Sequence, residues 1–382
     1  MKAYFFTGFI GLSLLEVARV YFIMPMPGSQ QWDSLELAYF LQSYRWIGRF
    51  LFGAMVILGA KSAFSSAIWI AIPISLVAIA VIFTFNFKMT AEKMFQEPKN
   101  LTFSGFDQKS LSDSSLVLVT AHNGGAKAYP IRYIAYHHQV RDKIAGKDIL
   151  VTYCSVCRSG RIFEPLIKGK TENFRLIGMD HFNAMFEDES TKSWWQQANG
   201  EAITGPLKGY QLPEVSSSQM SLGKFFSLYP YGQVMDADPN FLSKFDSLGK
   251  YEFGLSTGKL TKRDSLSWKD KSWVVGIKVL GKTKAYDWND LKAQKLILDQ
   301  IGEKPIALVL SEDQNSFRAF LRPSSQEEIS LAPGDKIIFG QDTLNFNGEN
   351  TRTGTLELVP ITAYQEFWHS WRTFNPATEV YH

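Results

Sequence analysis

The sequence predicts an α+β protein with N-terminal transmembrane helices, followed by a β-rich soluble region made of two related units. Three observations carry this. Ser62–Phe87 holds no charged residue between Lys61 and Lys88, and about 20 apolar residues suffice to cross a bilayer. Beyond about residue 91, short runs of Val, Ile, Leu and Phe alternate with Gly, Asn, Asp and Pro, the pattern of strands and turns. A shift of 157 positions lays Gly124–Phe163 on Gly281–Phe320 without a gap.

Composition narrows the functional classes. The 382 residues suggest two or three folding units. Forty Lys and Arg stand against 37 Asp and Glu, with no basic run, so charge gives no argument for nucleic acid. Ten Trp, 15 Tyr and 29 Phe exclude disorder, and two Cys exclude a disulfide-dense scaffold.

Residues 1–90 are read as a membrane module with helices at about 3–24, 46–64 and 66–87. The first contains Glu16 and Arg19, three apart and so on one face. One reading is a polar contact inside the helix bundle; the favoured one turns Arg19 toward the interface, paired with Glu16. Arg49 interrupts the second, which Tyr44, Arg45 and Trp46 anchor at the interface. Pro73 can kink the third. Lys2 and Lys61 then lie inside, while the loop Pro25–Gln42, with Asp33 and Glu36 but no Lys or Arg, lies outside. This describes a multi-pass membrane protein, its partner the lipid bilayer and its soluble region in a periplasm-like space. If the middle segment does not cross, the soluble region is cytoplasmic. No His precedes His122, so these helices cannot ligate a haem through paired His.

The first α+β unit is placed at 91–240 and the second, degenerate one at 241–382. Expected strands are Ser115–Thr120, Asp148–Tyr153, Arg161–Pro165, Phe174–Gly178, Ser272–Val279, Pro305–Leu310 and Ser316–Leu321. Helices are expected at Ile131–Ile144 and Trp288–Ile301. The 157 shift pairs Lys127 with Lys284, Tyr129 with Tyr286, Asp142 with Asp299 and Arg161 with Arg318. Phe225–Val234 also resembles Trp371–Val380. Cys154, Cys157, His137 and His138 fall on Ser311, Gln314, Gln294 and Lys295, so the reactive set belongs to the first unit alone.

Cys154-Ser155-Val156-Cys157 sits between two strand-like runs. Two thiolates at this spacing grip a tetrahedral metal, whereas thioredoxin-type motifs open a helix. Arg158 and Arg161 could stabilise thiolates. Three readings stay open: a metal site, a redox-active dithiol, and a structural disulfide or buried thiols. His137 and His181 complete the candidate metal set with Cys154 and Cys157; His138 is weaker, because adjacent helical residues face apart. Zinc suits these donors, and copper(I) would draw on Met179 or Met185. Against the site readings, each His also reads as a core or loop residue. Asp180, Glu187, Asp188 and Glu189 could hold a cation, but read better as a solvated turn. Gly200–Leu207 reads as strand–turn–strand without a phosphate-loop pattern, and no G-x-S-x-G occurs. Trp194, Trp195, Trp368 and Trp371 read as core or edge aromatics.

The motifs GGAKAYPIRYIAYHH, ILVTYCSVCRSGRIF, SWWQQANGEAITGPLKGYQL and FWHSWRTFNPATEVY resemble the bacterial family catalogued as domain of unknown function 3179, and YFIMPMPGSQ resembles its membrane-anchored members. Members usually carry a Gly after the second Cys, where this chain has Arg158, and a Trp before the His, where it has Tyr136. The resemblance implies a fold and a site location but no activity. The expected function is a membrane-anchored protein with a Cys/His metal-binding or thiol site. The alternatives are a thiol–disulfide or metal-dependent oxidoreductase and a non-catalytic envelope interaction module with an unidentified protein partner.

Overall fold

The computed structural model describes residues 1–382. The chain forms two compact units that do not follow its order. One comprises 1–96 with 172–197 and 201–211; the other comprises 97–171, 198–200 and 212–382.

The first unit begins with α1 (Lys2–Tyr21), α2 (Leu35–Ser43), α3 (Arg45–Ser66) and α4 (Ile68–Phe87). Of these, α1, α3 and α4 are long and apolar enough to cross a membrane. The uncharged run beginning at Ser62 is not one helix. It breaks at Ala67, where φ is −153°, so its first residues finish α3. Glycines let α1 and α3 approach closely: a Cβ on Gly59 would lie 2.3 Å from the Phe5 backbone nitrogen, and one on Gly8 2.7 Å from the Phe52 carbonyl. Arg19 is not turned outward as expected. Glu16 and Arg19 are buried, and the Glu16 carboxylate accepts from Arg19 Nη2 at 3.0 Å, Arg49 Nε at 2.5 Å and Asn86 Nδ2 at 3.0 Å. Satisfying a buried carboxylate outweighs snorkelling here.

The same unit contains an antiparallel sheet of Phe174–Asp180, Asn183–Asp188, Trp194–Gln196 and Ala202–Thr204. The chain leaving α1 is tied to it: Met179 N donates to Ile23 O at 2.8 Å and Phe182 N to Gln30 Oε1 at 3.1 Å. Trp194 and Trp195 are fully buried core residues.

In the second unit, Leu116–His122 and Gly125–Pro130 form a hairpin followed by helix Ile131–His137 and strands Gln139–Ile144, Lys147–Cys154 and Ser159–Phe163. Later, Trp273–Val279, Lys282–Asp287, helix Trp288–Gln294 and strands Leu296–Ile301, Lys304–Leu310 and Phe317–Leu321 follow in the same order. Val119 pairs with Ala128 and Gly276 with Ala285; Val151 pairs with Ile162 and Leu308 with Ala319. Lys127 and Lys284 each meet their Asp, 142 or 299, at 2.7 Å, and the Tyr129 and Tyr286 hydroxyls donate to the same carboxylates.

Both expected helices are half as long as the sequence suggested. His138 and Lys295, with φ of 62° and 63°, stop them after two turns. The residues beyond, including Val140 and Ile297, bury one face in strands, where edge pairing with the next strand overrides the helical pattern.

Candidate functional site

Cys154 closes its strand opposite Ser159, and residues 155–158 form the turn. Both thiols are buried and not joined by a disulfide. Val156 O, inside the turn, accepts from Lys271 Nζ at 2.7 Å and lies 3.2 Å from His369 Nε2. Lys271 Nζ and His369 Nε2 are 3.1 Å apart. Lys271 precedes the strand Trp273–Val279, and His369 opens the helix Trp368–Phe374. Backbone bonds fix both to the turn: Phe367 N donates to Cys157 O and His369 N to Asp270 O, each at 2.9 Å.

Burial pushes Lys271 down to about 8, while the Cys157 and Cys154 sulfurs beside it favour its charged form. Burial, assisted by Lys271, pushes His369 down to about 4, so its imidazole is neutral at pH 7. Tyr251 OH donates to Ser155 O at 3.0 Å and lies 3.1 Å from Tyr153 OH. Burial raises both phenols, Tyr251 well above its ordinary value, so both are neutral donors. The turn is therefore a buried dithiol beside one cation, and a nearby cation favours the thiolate.

The arginines expected to supply that cation are engaged elsewhere. Arg158 donates to Glu252 O at 3.0 Å and Gln365 Oε1 at 3.1 Å, with its guanidinium 3.9 Å from the Trp273 ring centroid. Arg161 pairs with Glu366 at 2.6 Å and donates to Ala198 O at 3.1 Å.

Of the sequence-predicted donors, Cys154 and Cys157 sit at one buried hairpin turn. His137 lies among aromatic edges, its ring 5.2 Å from Phe241 and 5.5 Å from Phe245. His138 Nδ1 is 3.1 Å from Tyr136 O, and burial lowers the ring to about 4. His181 belongs to the other unit, at a hairpin turn with φ of 47°, its Nδ1 3.0 Å from Asp180 Oδ1. Met179 and Met185 are core residues of that same unit. Among the described residues, no group of three His, Cys, Asp or Glu side chains is placed to hold a metal ion.

Glu189 is exposed in a turn, as expected, but Glu187 and Asp188 are buried and held by donors of the protein itself. Glu187 accepts from Arg175 Nη2 at 2.6 Å and Trp194 Nε1 at 3.0 Å; Asp188 accepts from Ser193 N at 3.0 Å and Trp195 Nε1 at 2.9 Å. Arg175 comes from the preceding strand, and Ser193, Trp194 and Trp195 from the segment just beyond the turn, a folding-back that composition does not register.

Sequence reasoning missed Lys271 and His369. The signal was available in the internal alignment. Under the 157 shift Lys271 falls on Ser114, and the pairing of Phe225–Val234 with Trp371–Val380 puts His369 on Gly223.

The family of proteins of unknown function DUF3179 matches residues 97–378. The chain belongs to this family. No curated protein and no solved structure matches it. The departure of this DUF3179 chain at Arg158 now has a local account. Arg158 adopts φ of 56°, the left-handed conformation a Gly takes readily, so the turn survives without Gly. The buried guanidinium, bonded to Gln365 and Glu252 and stacked on Trp273, offsets the backbone cost.

Proposed function

We propose that this chain is a membrane-anchored protein whose DUF3179 region lies outside the cytoplasm and carries a redox-active dithiol at Cys154 and Cys157, with Lys271 as its counter-charge. The observation that carries the thiol reading is the Lys271 ammonium, bonded to Val156 O in the turn that carries both cysteines and neighboured by neutral His369. Residues three apart across a tight turn approach within about 7 Å, a span a disulfide accommodates. Closure to a disulfide releases two electrons and two protons. A disulfide-bearing oxidant would accept them and leave as two thiols.

Membrane topology is supported by two independent features. The loop between α1 and α3 lacks Lys and Arg over Pro25–Gln42. That loop also bonds to the sheet that follows α4 in sequence, through Gln30 with Phe182 and Glu36 with Thr204 and Lys208. The outer ends of α1 and α4 therefore open on one side, as three crossings require.

Within the DUF3179 region we further propose that the two runs offset by 157 are copies of one α+β unit, supported by their common registers and their common Lys–Asp–Tyr clusters. A soft ion held by the two thiolates, copper(I) above all, is the second reading, favoured by burial of both sulfurs.

The test is metal content with thiol titration on the full chain in detergent, beside Cys154→Ser/Cys157→Ser. The redox reading expects two titratable thiols, lost on treatment with oxidised glutathione, restored by reductant, and oxidised more slowly in Lys271→Met. Near-stoichiometric zinc or copper that disappears in the double variant would replace it with the metal reading. Thiols that stay reduced in the folded protein would leave a structural pair.

A further inference from the structure

A second site lies in the same unit, on the other side of the internal correspondence. Arg161 and Arg318 occupy equivalent ladder positions: Arg161 pairs with Thr152 and Arg318 with Val309. Their surroundings differ. The Arg161 guanidinium is saturated, with Glu366 at 2.6 Å, Ala198 O at 3.1 Å and the Tyr364 ring centroid at 3.5 Å. Arg318 meets no carboxylate. Its Nη2 donates to Asn347 Oδ1 at 2.8 Å and, at the limit, to Tyr229 OH at 3.4 Å, while Nε is buried without a partner. Arg318 lines a solvent-open cavity of about 350 Å³.

A half-buried guanidinium without a counter-ion is costly, because it has lost water and gained no anion. Its planar donor set suits a carboxylate. The volume falls in the range of small-molecule pockets. The rest of the wall narrows the ligand. Glu349, held by Asn345 Nδ2 at 2.8 Å, repels a second anion but can accept from a hydroxyl. Asn347 and Ser217 add polar edges, and Tyr231, 62% exposed, offers a ring face at the rim. We propose that this cavity binds a small hydroxylated carboxylic acid, with the carboxylate on Arg318, hydroxyls on Glu349 and Asn347, and the carbon skeleton against Tyr231.

Calorimetric titration of the full chain in detergent tests this with D-galacturonate, D-glucuronate and quinate as probes and D-galactose and D-glucose as neutral controls. At least one acid should bind at low millimolar concentration or better, with the sugars at least tenfold weaker. Arg318→Gln should remove that preference. Tyr231→Ala, a change at an exposed side chain that leaves the fold intact, should weaken the same acid several-fold, so the result does not depend on Arg318→Gln folding. No binding by any of the three acids would overturn the proposal. So would equal binding of acid and sugar, or an acid preference that survives Arg318→Gln in a protein melting as wild type does. The thiol reading is untouched by either result.

Discussion

Lys271 should give this protein a stability that climbs with alkaline pH, and Lys271→Met should remove the climb. Its folded-state pKa of about 8 lies below the ordinary 10.5, because burial disfavours the charge. Below pH 8 the folded state carries a desolvated ammonium, and the unfolded state solvates it freely. Between pH 8 and 10.5 the unfolded chain holds a proton that the folded chain has released, so stability rises with pH. The distance from 10.5 to about 8 corresponds to about 3 kcal/mol. The side chain retains some contact with water, so about 2 kcal/mol is the expected gain. Urea midpoints from tryptophan fluorescence at pH 7, 8, 9 and 10 would measure it, in a Cys154→Ser/Cys157→Ser background that removes thiol titration. Without the thiols, Lys271 loses the groups that favour its charge, so the climb should begin below pH 8. Parallel curves for that background with and without Lys271→Met would refute the placement of Lys271 against the turn.

Acid should act in the opposite sense through two imidazoles. Burial holds His138 and His369 near 4, below the usual 6.5. Their contribution is present above pH 6.5 and is lost as pH falls toward 4, by up to about 3 kcal/mol each; NMR should show both rings unprotonated at pH 5.5. Arg161→Met should cost about 3–5 kcal/mol by stranding buried Glu366, and adding Glu366→Leu should recover most of it, read as thermal midpoints. Gly276→Ala should cost about 1–3 kcal/mol, since its Cβ would stand 2.2 Å from the Trp371 ring. Gly53→Ala in α3 meets nothing within 4 Å and should stabilise by up to about 1 kcal/mol.

The parts of this molecule legible in the sequence are those dictated by local pattern. The apolar length of α1, α3 and α4 and the strands flanking Cys154 follow from composition and spacing, and the structure places them within a few residues of expectation. The failures share one cause, a tertiary contact. Val140 and Ile297 sit at helical spacing yet lie in strands, because a left-handed residue ends each helix and a neighbouring strand takes up the next segment. Arg158 and Arg161 were near the thiols in sequence, but Gln365 and Glu366, some two hundred positions away, claim them. Lys271 and His369 reach the turn from 115 and 213 positions further along the chain. Sequence proximity located the sulfurs and misplaced the charge beside them.

The interleaved order of the two units bears on how the protein is made. The helices of the first unit leave the ribosome within the first 96 residues, yet their sheet is not complete until Thr204 and the unit not until Gln211. Between them runs 97–171, which belongs to the other unit and waits in turn for partners as late as Phe367. The three long apolar helices are therefore synthesised long before either unit can close. During that interval Ile23 and Gln30, in the segment that follows α1, lack the strands they will bond. A nascent chain stalled near residue 170 should remain protease-sensitive beyond α4, and one extended past 211 should protect the sheet while the thiol turn is still open to reagents.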